Sequence, residues 1–432
     1  MPAANGRAIP RRPVYQRRRG MNMTEPLSLQ AIVDAGLCIG CGLCRSLAPD
    51  RIRMVLSDQG AVVPELQQPL AGDQLQLINR VCPGLMVEGR LPETESPAAH
   101  WDDIWGPALV MASGHASDPE VRFRASAGGG ASALAIHLLE SGEVDFILHV
   151  AASRQMPMRT EAHLSFTRAD VLEGAGSRYG PAAPLVDLSQ LLDRGRPFAV
   201  IAKPCDISAI QNLSRHDPRV DALIRYRLAF ACGGASAFSK TRELVESFGL
   251  GEAEVSLLRY RGYGNPGRTR VESRDGRAFE VTYNDLWADE GKWRIFFRCK
   301  ICADAVGEMA DIAISDVWPG GGPSGEDAGF NGFIARTERG AALLRHAVEA
   351  GALTLQRDMS FRDFDAVQPH QVRKKQAILA RLAAMSEAGV PVPEYPGLRL
   401  AAVAATASEE FQTENYEGMR RRLAERKPAE PE

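Results

Sequence analysis

RPFAVIAKPCDISAIQNL, residues 196–213, is the stretch on which the fold turns. FAVIA is a short apolar run and reads as a strand. Lys203, Pro204 and Cys205 make a tight loop. DISAIQNL continues as a helix, with Asp206 or Ser208 near its start. A strand that passes so directly into a helix is the repeating unit of an α/β sheet.

The same pattern recurs on both sides. SAGGGASALAIHLLESGEVDFILHV, 126–150, parses as a Gly-rich loop, a helix, a turn and a buried strand. Ala131, Leu134, Ala135, Leu138 and Leu139 keep helical spacing. IRYRLAFACGG, 224–234, is a strand running into glycines, and ADIAISDVWPGGGPSG, 310–325, is a strand followed by a Gly/Pro loop. Together these predict an α/β body with a largely parallel sheet. From about residue 340 the chain turns helical, in GAALLRHAVEAG and then VRKKQAILARLAAM. The body is expected over 100–390, with a polar, frayed tail over 391–432. Ahead of it, residues 28–92 form a small unit, and LPETESPAAH, 91–100, reads as a linker.

A chain of 432 residues is expected to hold two or three domains. Hydrophobic residues at 45% and charged residues at 24% are ordinary for a globular protein. A net charge of −3 gives no bulk basicity that would point to nucleic acid, and no long apolar run points to a membrane span. Residues 1–27 are a basic tail carrying Arg7, Arg11, Arg12, Arg17, Arg18 and Arg19. They read as disordered, or as translation from a start upstream of the true one at Met21 or Met23. No apolar segment follows the arginines to make a signal peptide, so the expected location is cytoplasmic. In a reducing compartment, clustered cysteines serve metal or redox chemistry more often than disulfides.

There are eight cysteines. Cys38, Cys41 and Cys44 stand at C-x2-C-x2-C spacing in CIGCGLC. A two-cluster ferredoxin would place a fourth cysteine at Ala48, ahead of Pro49, to serve its other cluster. Its absence suits a one-cluster unit, whose fourth thiolate comes from a distant Cys-Pro; Cys82-Pro83 supplies it. Gly40 and Gly42 let backbone N–H groups turn toward the sulfurs. These four cysteines are expected to hold a 4Fe-4S cluster; zinc is the lesser alternative. Cys205, Cys232, Cys299 and Cys302 are again the number one cluster requires. Cys299 and Cys302 form C-x2-C, while Cys205 and Cys232 sit at the carboxyl ends of two strands, where ligands of open sheets collect. The alternative is a pair of buried core thiols beside a zinc-type C-x2-C.

Gly128, Gly129 and Gly130 precede a helix, where phosphates approach free N–H groups, although a plain turn has the same composition. GSRYGPAAP (176–184) and RYRGYGNPGRTR (259–270) combine Arg, Tyr and Gly, which suits phosphate pairing and ring stacking or simply a structured loop. Asp316 reads as a proton donor, a ribose ligand or a turn residue. The histidines show no metal-ligand spacing and read as structural.

These motifs in this order resemble the coenzyme F420 hydrogenase/dehydrogenase beta-subunit family: CIGCGLC with CP, AGGGASAL, SRYGP, AKPCD, CGG, RYRGYGNPG and CKICADAVGEMADIAISDVWPGG. Families of related sequence include 7-hydroxymethyl chlorophyll a reductase and one type of divinyl chlorophyllide 8-vinyl reductase. The resemblance implies FAD and two 4Fe-4S clusters, the second on Cys205, Cys232, Cys299 and Cys302. It implies that Gly128, Gly129, Gly130 and Ser132, then Ser177, Arg178 and Tyr179, then Arg261, Gly262 and Asn265 border the flavin. It also implies a fold that is α+β and α/β: a small ferredoxin-like cluster domain, a larger α/β flavin-binding body and a helical C-terminal region. The family's Gly-Thr-Pro-Cys is Ala202-Lys203-Pro204-Cys205 here, so Lys203 adds a positive charge beside a cluster or the flavin. The expected function is an oxidoreductase that passes electrons from ferredoxin, or another redox protein, through both clusters and FAD to a small organic substrate. The other reading is an electron-transfer beta subunit of a larger hydrogenase or dehydrogenase complex, coupled to coenzyme F420. A homo-oligomer also remains open, as does a zinc-stabilised binding protein without redox chemistry.

Overall fold

The computed structural model describes residues 26–288 and 293–425. The arginine-rich stretch and its start-site reading lie outside the described residues. The core is one eight-stranded sheet. Its strand order is Leu353–Asp358, Val110–Ala116, Asn331–Ala335, Ile312–Asp316, Ile224–Phe230, Phe198–Ala202, Phe146–Ala152, Thr160–Ser165. FAVIA is thus a strand near the centre, and all of its residues are buried. Ala199 and Ile201 pack with Leu134 and Leu138 of helix Gly130–Glu140. Phe198, Val200 and Ala202 face Ile207, Ile210 and Leu213 of helix Pro204–Ser214. Both faces are covered, which is why the strand has no polar alternation.

The sheet is mixed rather than largely parallel. The four strands from Ile312–Asp316 to Phe146–Ala152 run parallel. The flanking pairs are antiparallel. Parallel neighbours need a crossover, here a helix on a sheet face. Phe146–Ala152 instead reaches Thr160–Ser165, and Ile312–Asp316 reaches Asn331–Ala335, through loops without one, so each returns antiparallel. A separate three-stranded sheet, Val255–Arg259, Thr269–Ser273 and Ala278–Val281, lies beside the main one in sequence.

The N-terminal unit has helices Leu29–Asp34, Leu43–Leu47 and Gly72–Val81, and one hairpin, Ile52–Leu56 with Val62–Leu66. It shares its core with the rest of the chain. Ile39, Leu43 and Val81 join Leu185, Leu188 and Ile210 in one buried cluster. Leu37 and Val87 join Ile378, Leu382 and Met419 of the C-terminal helices. The proline-rich stretch after it is tied down, with Arg90 and Glu95 paired at 3.0 Å.

The C-terminal end is not frayed through residue 425. Helix Glu409–Ala424 starts on Ser408, whose Oγ accepts from Phe411 N–H. Tyr416, Met419 and Leu423 form a narrow apolar stripe against the core, with Met419 fully buried. Three apolar positions in a highly charged helix make too weak a period to stand out in the sequence. No helix among the described residues is long and apolar enough to cross a membrane.

Candidate functional site

The first cysteine set is built by a loop and a helix end. Cys38, Cys41 and Cys44 run from the end of helix Leu29–Asp34 into helix Leu43–Leu47, and Cys82 closes helix Gly72–Val81. Gly40 has φ +70, and a Cβ there would sit 2.4 Å from the Val62 carbonyl oxygen. Only glycine fits, and its N–H donates to Cys38 Sγ at 3.4 Å. Burial pushes the Cys38 thiol up to about 12, with the charge of Cys82 adding to it. Cys41 and Cys44 are raised by burial and by neighbouring cysteines. Burial and the neighbouring sulfurs favour the protonated thiols, so a metal bound here would displace their protons.

The second set converges from distant points of the chain. Cys205 lies at the start of helix Pro204–Ser214, after strand Phe198–Ala202. Cys232 follows the neighbouring strand Ile224–Phe230, and its N–H donates to Ala305 O at 2.8 Å. Cys299 and Cys302 belong to the turn at helix Phe297–Lys300. Ala235 N–H donates to Cys299 Sγ at 3.4 Å. Burial raises Cys205, Cys232 and Cys302, the last to about 11. Cys205 feels both Cys232 and Cys302, and Cys232 and Cys302 each feel Cys299. The four are therefore neighbours rather than scattered core thiols. Among the described residues, no three His, Cys, Asp or Glu side chains close around a single ion. Four thiolates are the number that an iron-sulfur cube takes, one at each iron corner.

Cys232 and Cys299 line one wall of a cavity of about 1090 Å³. That volume exceeds an ordinary small-ligand pocket and suits a dinucleotide-sized molecule. Gly129 and Ser132 line it from the start of helix Gly130–Glu140, where the first-turn N–H groups have no carbonyl one turn back. Gly130 and Gly128 stand behind, against Asn331: Gly130 N–H donates to Asn331 Oδ1 at 2.8 Å, and a Cβ on Gly128 would meet Asn331 N at 2.8 Å. Ser177, whose hydroxyl bonds Ser126, also faces the cavity.

Arg178 lines the cavity, but its guanidinium is occupied. It donates to the carbonyls of Leu258 at 2.8 Å and Arg159 at 3.0 Å, and to those of Pro157 and Met158. It holds two loops together rather than presenting a free fork for phosphate. Tyr179 is buried edge-on to Trp287, with ring centroids 4.9 Å apart. Arg261 is buried over the Trp318 ring and pairs with Asp316 Oδ2 at 2.9 Å. Asn265 supports Arg261 from its side chain and donates to Asp327 at 2.6 Å. Gly262 packs on the Arg124 carbonyl. Gly262 and Asn265 thus shape the Arg261 loop from outside the cavity lining. Lys203 pairs with Asp206 at 2.7 Å. Burial opposes its charge, yet Asp206 and Cys205 outweigh burial and raise it above the ordinary lysine value.

Four cavity-lining side chains carry a buried polar atom with no partner among the described residues: Asp206 Oδ1, Trp287 Nε1, Ser315 Oγ and Gln371 Oε1. Such atoms are rare in native interiors, and their clustering around one space fits a large polar ligand. The sequence reading missed Asn331, Trp287 and Trp293, and the cations Lys300, Lys374 and Arg381. The one sequence sign was a polar Asn331 opening an otherwise apolar strand.

The chain matches two models of one known family. Residues 111–190 match the N-terminal family model of the coenzyme F420 hydrogenase/dehydrogenase beta subunit, and residues 195–360 match the model of its C terminus. The chain belongs to the coenzyme F420 hydrogenase/dehydrogenase beta-subunit family. It is 28% identical over 290 residues to the coenzyme F420 hydrogenase subunit beta of Methanococcus voltae, covering 65% of this chain and 96% of that one. It is 27% identical over 237 residues to subunit beta of an F420-dependent formate dehydrogenase of Methanococcus maripaludis, covering 55% and 58%. A chain of the F420-reducing NiFe hydrogenase complex from Methanosarcina barkeri shares the fold, with a TM-score of 0.51 and 19% identity over 66% of this chain and 96% of that one.

Proposed function

We propose that this chain is the electron-transfer beta subunit of a larger hydrogenase- or dehydrogenase-type complex, holding two 4Fe-4S clusters and FAD and exchanging two electrons with a small organic partner such as coenzyme F420. One observation carries the reading: Cys232 and Cys299 of the second cysteine set line the same cavity as Gly129 and Arg261. Support also comes from relatives named as beta subunits of F420-dependent enzymes. When bound, the clusters supply one-electron transfer and the flavin supplies the exchange between one- and two-electron chemistry.

The chain's own residues prepare the space. Cys38, Cys41, Cys44 and Cys82 would hold the first cluster, and Cys205, Cys232, Cys299 and Cys302 the second. The Ala131 and Ser132 N–H groups, in the first turn of helix Gly130–Glu140, are the donors offered to phosphate, since those of Gly129 and Gly130 are taken by Ser126 and Asn331. Arg261, fixed by Asp316, sets a permanent positive charge in the cavity wall, and Lys203, fixed by Asp206, sets another. The aromatic wall of Tyr179, Trp287 and Trp293 keeps one side apolar and dry.

A second reading has its own support. The N-terminal cysteine set lies at 38–82, ahead of the family match that starts at 111. A chain with its own entry cluster is equipped to take electrons from ferredoxin and act as a self-contained reductase. Anaerobic purification separates these readings. About eight irons, eight sulfides and one FAD per chain are expected in both. Copurification of a large catalytic subunit supports the complex; a lone chain that oxidises reduced ferredoxin supports the reductase. Zinc without iron or flavin would overturn both.

A further inference from the structure

Three cations line the cysteine side of the cavity without a carboxylate partner among the described residues: Lys300, Lys374 and Arg381. Lys374 Nζ donates only to the Gly233 carbonyl, at 2.5 Å. Arg381 donates to Asn415 Oδ1 at 2.7 and 3.1 Å and to the Lys300 carbonyl. These acceptors are neutral. Arg422 adds a fourth positive charge within electrostatic reach of Lys300 and Arg381. Elsewhere the chain pairs its interior lysines: Lys203 with Asp206 and Lys375 with Glu308.

A buried amide lies beside them. Gln371 is 5% exposed, lines the same cavity, and leaves its Oε1 without a partner. Lys374, Arg381 and Gln371 all come from helices Pro369–Gln376 and Ile378–Glu387, beyond residue 360, where the family match ends.

We propose that Lys300, Lys374 and Arg381 form a binding site for the carboxylate or phosphate group of a small organic ligand that enters the cavity. Arg and Lys in a half-buried wall bind such anions strongly, because water screens them less than at an open surface. The crowding of the cations agrees with it. An anion bound among them would relieve their like-charge repulsion. Placement inside a cavity wall selects a small ligand over an acidic protein face. The inference names the ligand class for the redox cavity and so rests on that reading, but its anion chemistry is tested separately.

The test is titration calorimetry on the anaerobically purified full chain, with tripolyphosphate and tricarballylate as probes. The tighter probe distinguishes a phosphate-bearing from a carboxylate-bearing ligand. Lys300→Gln and Arg381→Gln are expected to weaken the tighter probe at least about tenfold, a loss of about 1.4 kcal/mol. Arg381→Lys keeps the charge, guards against a folding defect and is expected to retain most of the affinity. Arg53→Gln, on the remote exposed hairpin, should change nothing. Binding of neither probe, or equal binding by wild type, Lys300→Gln and Arg381→Gln, overturns the site. So does a shift in the reduction potential of an iron centre with unchanged anion affinity, since the cations would then only offset the thiolates. Selective binding that survives in a chain shown to lack iron and flavin would instead sink the redox reading and leave the anion site standing.

Discussion

Arg298 Nη2 donates to the carbonyl of Pro83 at 2.7 Å, and so ties the second cysteine set to the first. Pro83 follows Cys82, and Arg298 precedes Cys299. The same guanidinium reaches the carbonyls of Gly84 and Ile301, both at 3.3 Å, and lies over the Tyr395 ring. Its charge lowers the Cys82 and Cys302 thiols against the burial that raises them. One fully buried cation therefore serves both sets.

Arg298→Met removes that cation and leaves the buried Pro83 and Gly84 carbonyls without their donor, while Ile301 keeps the Tyr395 hydroxyl. Each is worth about 1–3 kcal/mol when left unsatisfied. The expected result is a clear fall in melting temperature and, with each cysteine set holding the cluster proposed for it, altered electron paramagnetic resonance from both. Arg298→Lys should recover part of each. Changes confined to one centre would show that the guanidinium serves that set alone.

Glu308 is the other deep electrostatic hub. It is fully buried and accepts from Arg399 Nη2 at 2.6 Å, from Arg399 Nη1 and from Arg90 N–H at 2.9 Å, with Lys375 Nζ at 3.5 Å. Burial works against its charge, but Lys375 and Arg399 outweigh it and hold the carboxylate below its ordinary range. A depressed carboxylate pKa stabilises the fold above the unfolded value, and that contribution fades as pH falls through the folded one. Glu308→Ala strands buried cations and should cost about 3–5 kcal/mol. Urea melts of wild type and variant should converge as pH drops into the acid range. A constant gap across pH would rule the ion pair out as the cause.

The cysteines show which parts of the site the sequence could reveal. Cys38, Cys41, Cys44 and Pro83 stand in short motifs, so their grouping is local information. Cys205, Cys232, Cys299 and Cys302 meet only because three chain segments converge; their number and the two strand ends suggested a shared site, and the resemblance strengthened that reading. FAVIA and FILHV were legible as buried strands because both faces are covered. Val110–Ala116, VMASGHA, was not, since an antiparallel flank strand with polar positions lacks that apolar run. Lys374 and Arg381 sit in what reads as an ordinary basic helix, because their partners at Gly233 and Lys300 are distant in sequence.

Cys41→Ser and Cys205→Ser give separate readings of the two sets. Each should lower iron from about eight to about four per chain if the sets hold one cube apiece. Cys205→Ser leaving iron unchanged would make its set structural. The double variant should carry almost none.

Arg261 tests the side of the cavity proposed to hold the flavin. Its guanidinium is held by Asp316 at 2.9 Å, by Asn265 at 3.3 Å and by the Pro266 carbonyl at 3.4 Å, so it is fixed before any ligand arrives. Arg261→Met removes a preset positive charge and leaves Asp316 facing the cavity without its partner. Loss of a charge-assisted hydrogen bond of about 1.5–3 kcal/mol weakens retention of an anionic cofactor about tenfold to a hundredfold. After gel filtration the variant should hold markedly less flavin while keeping its iron. Asp316→Asn should lose less, because Asn265 and Pro266 still orient the guanidinium. If flavin and iron fall together, the loop has collapsed and Arg261 is structural. If neither falls, the flavin contact lies elsewhere on the cavity wall, with the Gly129 turn the next position to vary.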